Sequence, residues 1–338
     1  MSKRNPGVIF DASNSWNGYN HQGKLAMLFA IKQILAVYDS FASKDKNKEN
    51  LSNYFIEIEY LEDFSLGRID DGKVKYCSVH QVKNHATNVA ANYDSALLGL
   101  AYHVQAMSQL KKAYLHATTD IDFKGESVSA YVKTLISSPK ELNMLLDRID
   151  KSRTDESKKQ ALYARKKGRP ENFIVQLKQA LFEADDTQTI LDDSNIDMAL
   201  NALETKTKEQ IHNIRLLSDA QINKIELYSY EIDGHMQNYC KVDQIETLIK
   251  DEISRSIGIL GLSSLWLTEK YIKNRYLYLL GKLDEHIIDR NLNYPLYMNN
   301  STDRKIRLNQ IFEWLTSDKF DIADLSISNK KHNFPICG

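Results

Sequence analysis

The chain has 338 residues, 42% of them hydrophobic and 26% charged, with a formal net charge of -1. That length accommodates two domains with cores of their own, and the neutral balance argues against a free-standing nonspecific DNA binder, which usually carries a strong excess of basic residues. The longest mostly apolar run, residues 256–267, is too short to span a bilayer, and the amino-terminal MSKRNPG lacks the apolar stretch of a secretory leader. Cys77, Cys240 and Cys337 are too few and too scattered for a disulfide framework, which points to a reducing cytoplasm.

In chain order, residues 11–20 read as a polar, turn-rich lead. A helix follows, in which Leu25, Leu28, Phe29, Ile31, Ile34, Leu35 and Tyr38 recur at helical spacing. The charged stretch 44–50 reads as a loop. Residues 54–61 and 74–83 alternate like strands around a polar turn at Asp70-Asp71-Gly72, the pattern of a β-hairpin or longer antiparallel ribbon. A second helix over 93–109 and a strand over 112–119 complete the order helix, ribbon, helix, strand. Residues 127–219 read as almost wholly helical, with Ser138-Pro139 opening one helix and 185–194 as a joint. A fresh start at Ser218-Asp219 leads to an alternating run over 222–231, a turn at Asp233-Gly234, helices over 242–257 and 269–290, and a short amphipathic helix over 305–315.

The ribbon carries the chemistry. A period of two sends Glu57, Glu59 and Asp63 to one side of the first strand and sends Gln81 and Lys83 out together from the second. If the register joins those sides, carboxylates and an ammonium converge. Such convergence suits phosphodiester hydrolysis, which needs a hard divalent cation on oxygen ligands and a positive charge for the phosphoryl oxygens. Asp63, Glu59 and Glu62 can supply metal ligands for Mg²⁺ or Mn²⁺. The Gln81 amide and the Val82 carbonyl can complete the shell, and Lys83 can orient the water or stabilise the transition state. The plain alternative is an amphipathic ribbon with a solvated charged face.

Asp63 followed by Gln81-Val82-Lys83 resembles the PD-(D/E)xK restriction-endonuclease superfamily in its QxK variant, in which glutamine replaces the second carboxylate. Gly18 to Gln22 resembles the entry of the nuclease domain in CD-NTase-associated double-stranded-DNA endonucleases. That makes Gln22 a candidate active-site amide, the alternative being a glutamine that merely hydrogen-bonds the ribbon. The order of elements is compatible with an αβββαβ core provided that the ribbon's connection hides a further strand.

Lys158, Lys159, Arg165, Lys166, Lys167 and Arg169 lie in a basic segment that reads either as a phosphate-tracking surface or as a solvated helical face. Cys77, His80 and His85 fit no common zinc spacing, and alternation sends His80 to the face opposite Gln81 and Lys83. No P-loop and no G-x-S-x-G is present.

Tyr228-x-Tyr230, Asp233-Gly234, Tyr239-Cys240 and a long helix ending at Asp284 to Arg290 are similar to the C-terminal domains of ABC three-component systems of the Lamassu type. This resemblance implies an effector nuclease in a bacterial defence complex with an SMC-like ATPase and a third subunit. The effector would cleave double-stranded DNA, stay silent in the complex, and be released by self-assembly to a dimer or tetramer. The expected fold is α+β, with a restriction-endonuclease-like core and helical extension over 1–215 and an α-rich interaction domain over 216–338. The competing expectation is an inactive scaffold or DNA-sensing subunit, kept open by Gln81 standing where a carboxylate would bind metal more strongly.

Overall fold

Two Asp-Gly pairs set the hairpins. In the computed structural model, which describes residues 12–58, 62–84, 87–138, 212–292 and 305–317, Asp71 and Gly72 have φ of 49° and 73°, and Asp233 and Gly234 have φ of 53° and 77°. Successive left-handed residues give a two-residue loop the twist that matches antiparallel strands, and a glycine in the second place carries no steric penalty. The first pair joins β2 (Phe64–Asp70) to β3 (Lys73–Lys83), and the second joins β6 (Tyr230–Ile232) to β7 (His235–Gln237).

The structure is a mixed α+β fold around a six-stranded sheet of order β5-β4-β3-β2-β1-β8. β1 (Tyr54–Ile58), β2 and β3 form an antiparallel meander. β4 (Lys112–Ala117) lies parallel to β3, and β5 (Ile225–Leu227) lies parallel to β4. β8 (Lys305–Arg307) closes the other edge, antiparallel to β1. Both edge strands therefore come from the last third of the sequence.

Helices cover both faces. On one side α1 (Ala12–Val37) packs with α6 (Val242–Ile259), α7 (Glu269–Leu292) and α8 (Leu308–Thr316), burying Leu25, Leu28 and Ile31 with Ile249, Leu283 and Phe312 against Ile56, Phe64 and Val82. On the other, α3 (Asp94–Ala106) and α4 (Val128–Ser137) bury Leu97, Leu100 and Val132 against Val79, Ala113 and Leu115. Val79 and Val82 fall in different cores because they differ by an odd number of positions on one strand.

Four expectations are corrected. The supposed polar lead belongs to α1, which starts at Ala12. The charged stretch is a helix, α2 (Lys44–Ser52), because the Ser43 hydroxyl caps the Lys46 amide and Lys46 pairs with Glu49 one turn on. The run over 222–231 breaks into a helical turn, α5 (Asp219–Ile222), and the separate strands β5 and β6. Lys305 to Arg307 are strand rather than helix, since β1 offers them a ladder, and α8 starts behind them with the Gln310 side chain accepting from the Arg307 amide. The helical extension between 139 and 211, with all six basic residues from Lys158 to Arg169, lies outside the described residues.

Candidate active site

The ribbon has three strands, so the hidden strand is real: it is β2. Asp63 does not ride on the first strand, which ends at Ile58, but stands immediately ahead of β2. Its partner across the sheet is decided by an irregularity. Near the Asp71-Gly72 turn the pairing runs Gly67↔Tyr76, but beyond it Leu66 pairs with Ser78 and Phe64 with His80, so Cys77 is an extra residue on β3. Continued one step, that register sets Asp63 opposite Gln81. Without the bulge it would have set Asp63 opposite His80, a core residue.

The Asp63 carboxylate is the hub. Oδ1 accepts a hydrogen bond from Gln22 Nε2 at 2.6 Å. Oδ2 accepts from Gln81 Nε2 and from the Val82 amide. Gln22 comes from α1 and Gln81 and Val82 from β3, so the hub ties one helix layer to the sheet. Burial is the largest influence on Asp63 and pushes its carboxyl above the usual range; the Val82 amide and the Lys83 charge pull it back, and Glu62 pushes it up again. Lys83 is thus close enough for its ammonium to favour the ionised form of Asp63.

The other predicted ligands separate. Glu59 lies outside the described residues. Glu57 is buried in a structural pairing, accepting from the Tyr76 hydroxyl at 2.6 Å and pairing with Lys305 of β8 at 3.5 Å. Glu62 turns toward α3, where His103 Nε2 meets its Oε1 at 3.0 Å. His103 was not singled out in the sequence; its only signal there is a place four residues after Gly99 on one helical face.

His80 occupies the opposite face as expected, stacked on Phe64 with centroids 4.1 Å apart. Its ring nitrogens are engaged by Ser78 Oγ at 2.8 Å and His116 Nε2 at 2.9 Å, and His116 Nδ1 meets the Tyr230 hydroxyl at 3.0 Å. Cys77 is half-buried and burial raises its thiol.

In the arrangement shown, one carboxylate receives two side-chain amide N–H₂ groups and the Val82 main-chain N–H, with the Lys83 charge felt beside it. Gln22 Oε1 is buried without a hydrogen-bond partner among the described residues. Rotating either glutamine amide by half a turn exchanges donor for acceptor, so the same side chains that hold Asp63 can offer oxygen to a cation. Among the described residues no group of three or more His, Cys, Asp or Glu is arranged to hold a metal. The fit accordingly rests on amide oxygens.

These features define a mixed α+β protein with an acid, amide and lysine centre built where a meander meets a parallel strand. Residues 225–334 match the family model for C-terminal domain 1 of the ABC-three component (ABC-3C) systems, a stretch that begins at β5 and includes β6 to α8. The match covers about a third of the chain, and what it shows is a domain similar to that one over those residues. No characterised protein and no solved structure matches the chain. Among the described residues, no helix is long and apolar enough to cross a membrane.

Proposed function

We propose that the chain is a metal-dependent DNA endonuclease, the effector of a defence complex of the Lamassu type, built on a restriction-endonuclease-like core. The observation that carries this reading is the clamp on Asp63: a half-buried carboxylate bonded by Gln81 and the Val82 amide, with Lys83 next along the strand. The order helix, three antiparallel strands, helix, parallel strand supports it, as does the defence-system domain at the C-terminus.

In this reading Asp63, Gln81, Gln22 and the Val82 carbonyl hold Mg²⁺ or Mn²⁺. When bound, such an ion polarises a phosphate oxygen and lowers the pKa of a water. Lys83 supplies positive charge where negative charge builds on the phosphoryl oxygens. Gln22 fixes Asp63 against α1, which limits the motion of the carboxylate. Double-stranded DNA is the substrate, an SMC-like ATPase and a third subunit are the partners, and assembly of several copies multiplies the weak DNA affinity expected of a neutral chain.

The test is nicking of supercoiled plasmid in Mg²⁺ buffer by the wild type and by Lys83→Ala and Asp63→Ala. Both variants should lose cleavage while their far-ultraviolet circular dichroism matches the wild type. Cleavage retained by Lys83→Ala would remove this active site. The second reading, an inactive scaffold or DNA-sensing subunit, is favoured by one observation: the centre has a single carboxylate directly in the clamp. Its signature is a wild type that cuts no DNA in monomeric or assembled fractions.

A further inference from the structure

A chain of hydrogen bonds crosses the buried face of β3. It runs from Ser78 Oγ to His80 Nε2 at 2.8 Å, from His80 Nδ1 to His116 Nε2 at 2.9 Å, and from His116 Nδ1 to the Tyr230 hydroxyl at 3.0 Å. Both imidazoles are 0% exposed, and burial keeps them neutral. A neutral ring donates from one nitrogen and accepts at the other. The chain therefore has two proton orders, and the two rings must reverse together, since one of the nitrogens that face each other has to donate. The ends decide between the orders. Ser78 is half-buried, so its O–H can turn to water while Oγ accepts from His80. Tyr230 is only 2% exposed, and among the described residues its hydroxyl has His116 Nδ1 as its hydrogen-bond partner. If Tyr230 accepted instead, its own O–H would be buried and unmade, a penalty worth roughly 5- to 150-fold in the ratio of the two orders. The dry end accordingly donates: Tyr230 to His116 Nδ1, His116 Nε2–H to His80 Nδ1, and His80 Nε2–H to Ser78.

Tyr230 lies in the stretch that matches the ABC-three component domain, on β6, which pairs with β7 in a two-stranded sheet apart from the six-stranded one. Main-chain bonds from Tyr228 and Cys240, on either side of that hairpin, reach Leu115 and Ala117 of β4. The side-chain relay carries the connection on to β3. We infer that Tyr230 is the donor that sets the tautomer of both imidazoles, and that the relay is a latch by which the C-terminal segment holds β3. Displacing the β6–β7 hairpin removes the bias on both rings at once and loosens the strand between them. The inference is independent of the nuclease reading.

The experiment is long-range proton–nitrogen correlation NMR at neutral pH on the full chain, with nitrogen-15 in its histidine rings and the two signals identified through His80→Gln and His116→Gln. In the wild type both rings should carry their proton on Nε2. In Tyr230→Phe, with folding confirmed by circular dichroism, the ratio of Nδ1–H to Nε2–H should rise roughly 5- to 150-fold on both rings alike, although Tyr230 bonds His116 and not His80. Amide hydrogen exchange over residues 79–82 should quicken by up to the same factor while that of β1 stays as it was. An Nδ1–H tautomer on either ring of the wild type would overturn the inference, and that spectrum decides even where Tyr230→Phe does not fold. A change confined to His116 in the folded variant, or exchange on β3 no faster than in the wild type, would overturn the latch.

Discussion

Asp63→Asn should make the protein more stable and inactive together. Burial outweighs every favourable influence on the Asp63 carboxyl and raises its pKa above the ordinary value, so at neutral pH the ionised group is held in a setting that disfavours its charge. Asparagine removes that charge, keeps one oxygen for the Val82 amide and the Gln81 N–H₂, and leaves Gln22 free to turn its carbonyl toward the new N–H₂. Relief of this kind at an active site is typically on the order of 1 kcal/mol, or about 2–4 °C in melting temperature for a domain of 150–250 residues. A folded pKa raised above the unfolded one means that the penalty grows as pH rises through the folded value and is absent well below the unfolded one. The two proteins should therefore melt together in acid and diverge toward neutrality. Saturating Mn²⁺ supplies the functional arm: at a hundred times Kd a bound ion adds about 2.7 kcal/mol, which the wild type should gain and Asp63→Asn should not. The assay is differential scanning fluorimetry between pH 4 and 8 with and without Mn²⁺. A variant that melts below the wild type in metal-free buffer at pH 7 would refute the argument, since Asp63 would then be a structural hydrogen-bond hub and not a strained ligand.

Three further outcomes are expected. Lys305→Met strands the buried Glu57 carboxylate, which lies under the β1–β8 pairing and keeps, among the described residues, the Tyr76 hydroxyl as a donor; a loss of about 3–5 kcal/mol is expected by urea denaturation, with Glu57→Gln/Lys305→Met much closer to the wild type. Gly67→Ala drives a Cβ into the fully buried Phe55 ring and to 3.0 Å from the Lys75 carbonyl; it should destabilise by about 1–3 kcal/mol, and Phe55→Leu added to it should restore part of this in the same denaturation series. Acid should unfold the protein through its buried histidines: His80 and His116 are held well below the ordinary value by burial, and His21, buried with neither ring nitrogen partnered, is lowered to about 4 by burial and then by Lys24. Their folded pKa values lie below the unfolded one, so the stability of the neutral forms is complete above pH 6.5 and falls away toward pH 4; His21 alone accounts for roughly 3 kcal/mol of that loss, and His21→Gln should flatten the dependence measured by chemical denaturation at pH 7 and pH 5.

The parts of the fold that were legible in the sequence are those written in local chemistry. Asp71-Gly72 and Asp233-Gly234 announce their turns because few other pairs accept two left-handed residues, and α6 and α7 announce themselves by spacing. β2 was hidden because Gly67 and Arg68 interrupt its apolar alternation, and Gly67 is there because the Phe55 ring lies over it. α2 looked like a loop because its stability comes from a cap and from Asn47, whose side chain bonds the main chain of Asp39 at both ends. At the candidate site, type and spacing paired Asp63 with Gln81, which the structure brings into contact, and Gln22 entered through a resemblance of the stretch Gly18 to Gln22. The turn of Glu62 toward His103 was not readable, since it depends on α3 lying against the head of β2, a contact between residues 41 positions apart.

The same geometry limits how such a centre can be controlled. Its alignment depends on the Cys77 bulge, which advances β3 by one residue and brings Gln81 rather than His80 opposite Asp63. The strand that carries Gln81 is anchored on its other face through His80, His116 and the Tyr230 hydroxyl, and Tyr230 belongs to the segment that matches the ABC-three component domain. β5 and β8, from that segment, close the two edges of the sheet, and α6 and α7 pack on α1, the helix that carries Gln22. Detaching the C-terminal segment would expose both sheet edges and the buried side of α1, so release of an effector by its separation would dismantle the centre it is meant to free. In the nuclease proposed above, control would therefore act with the segment in place.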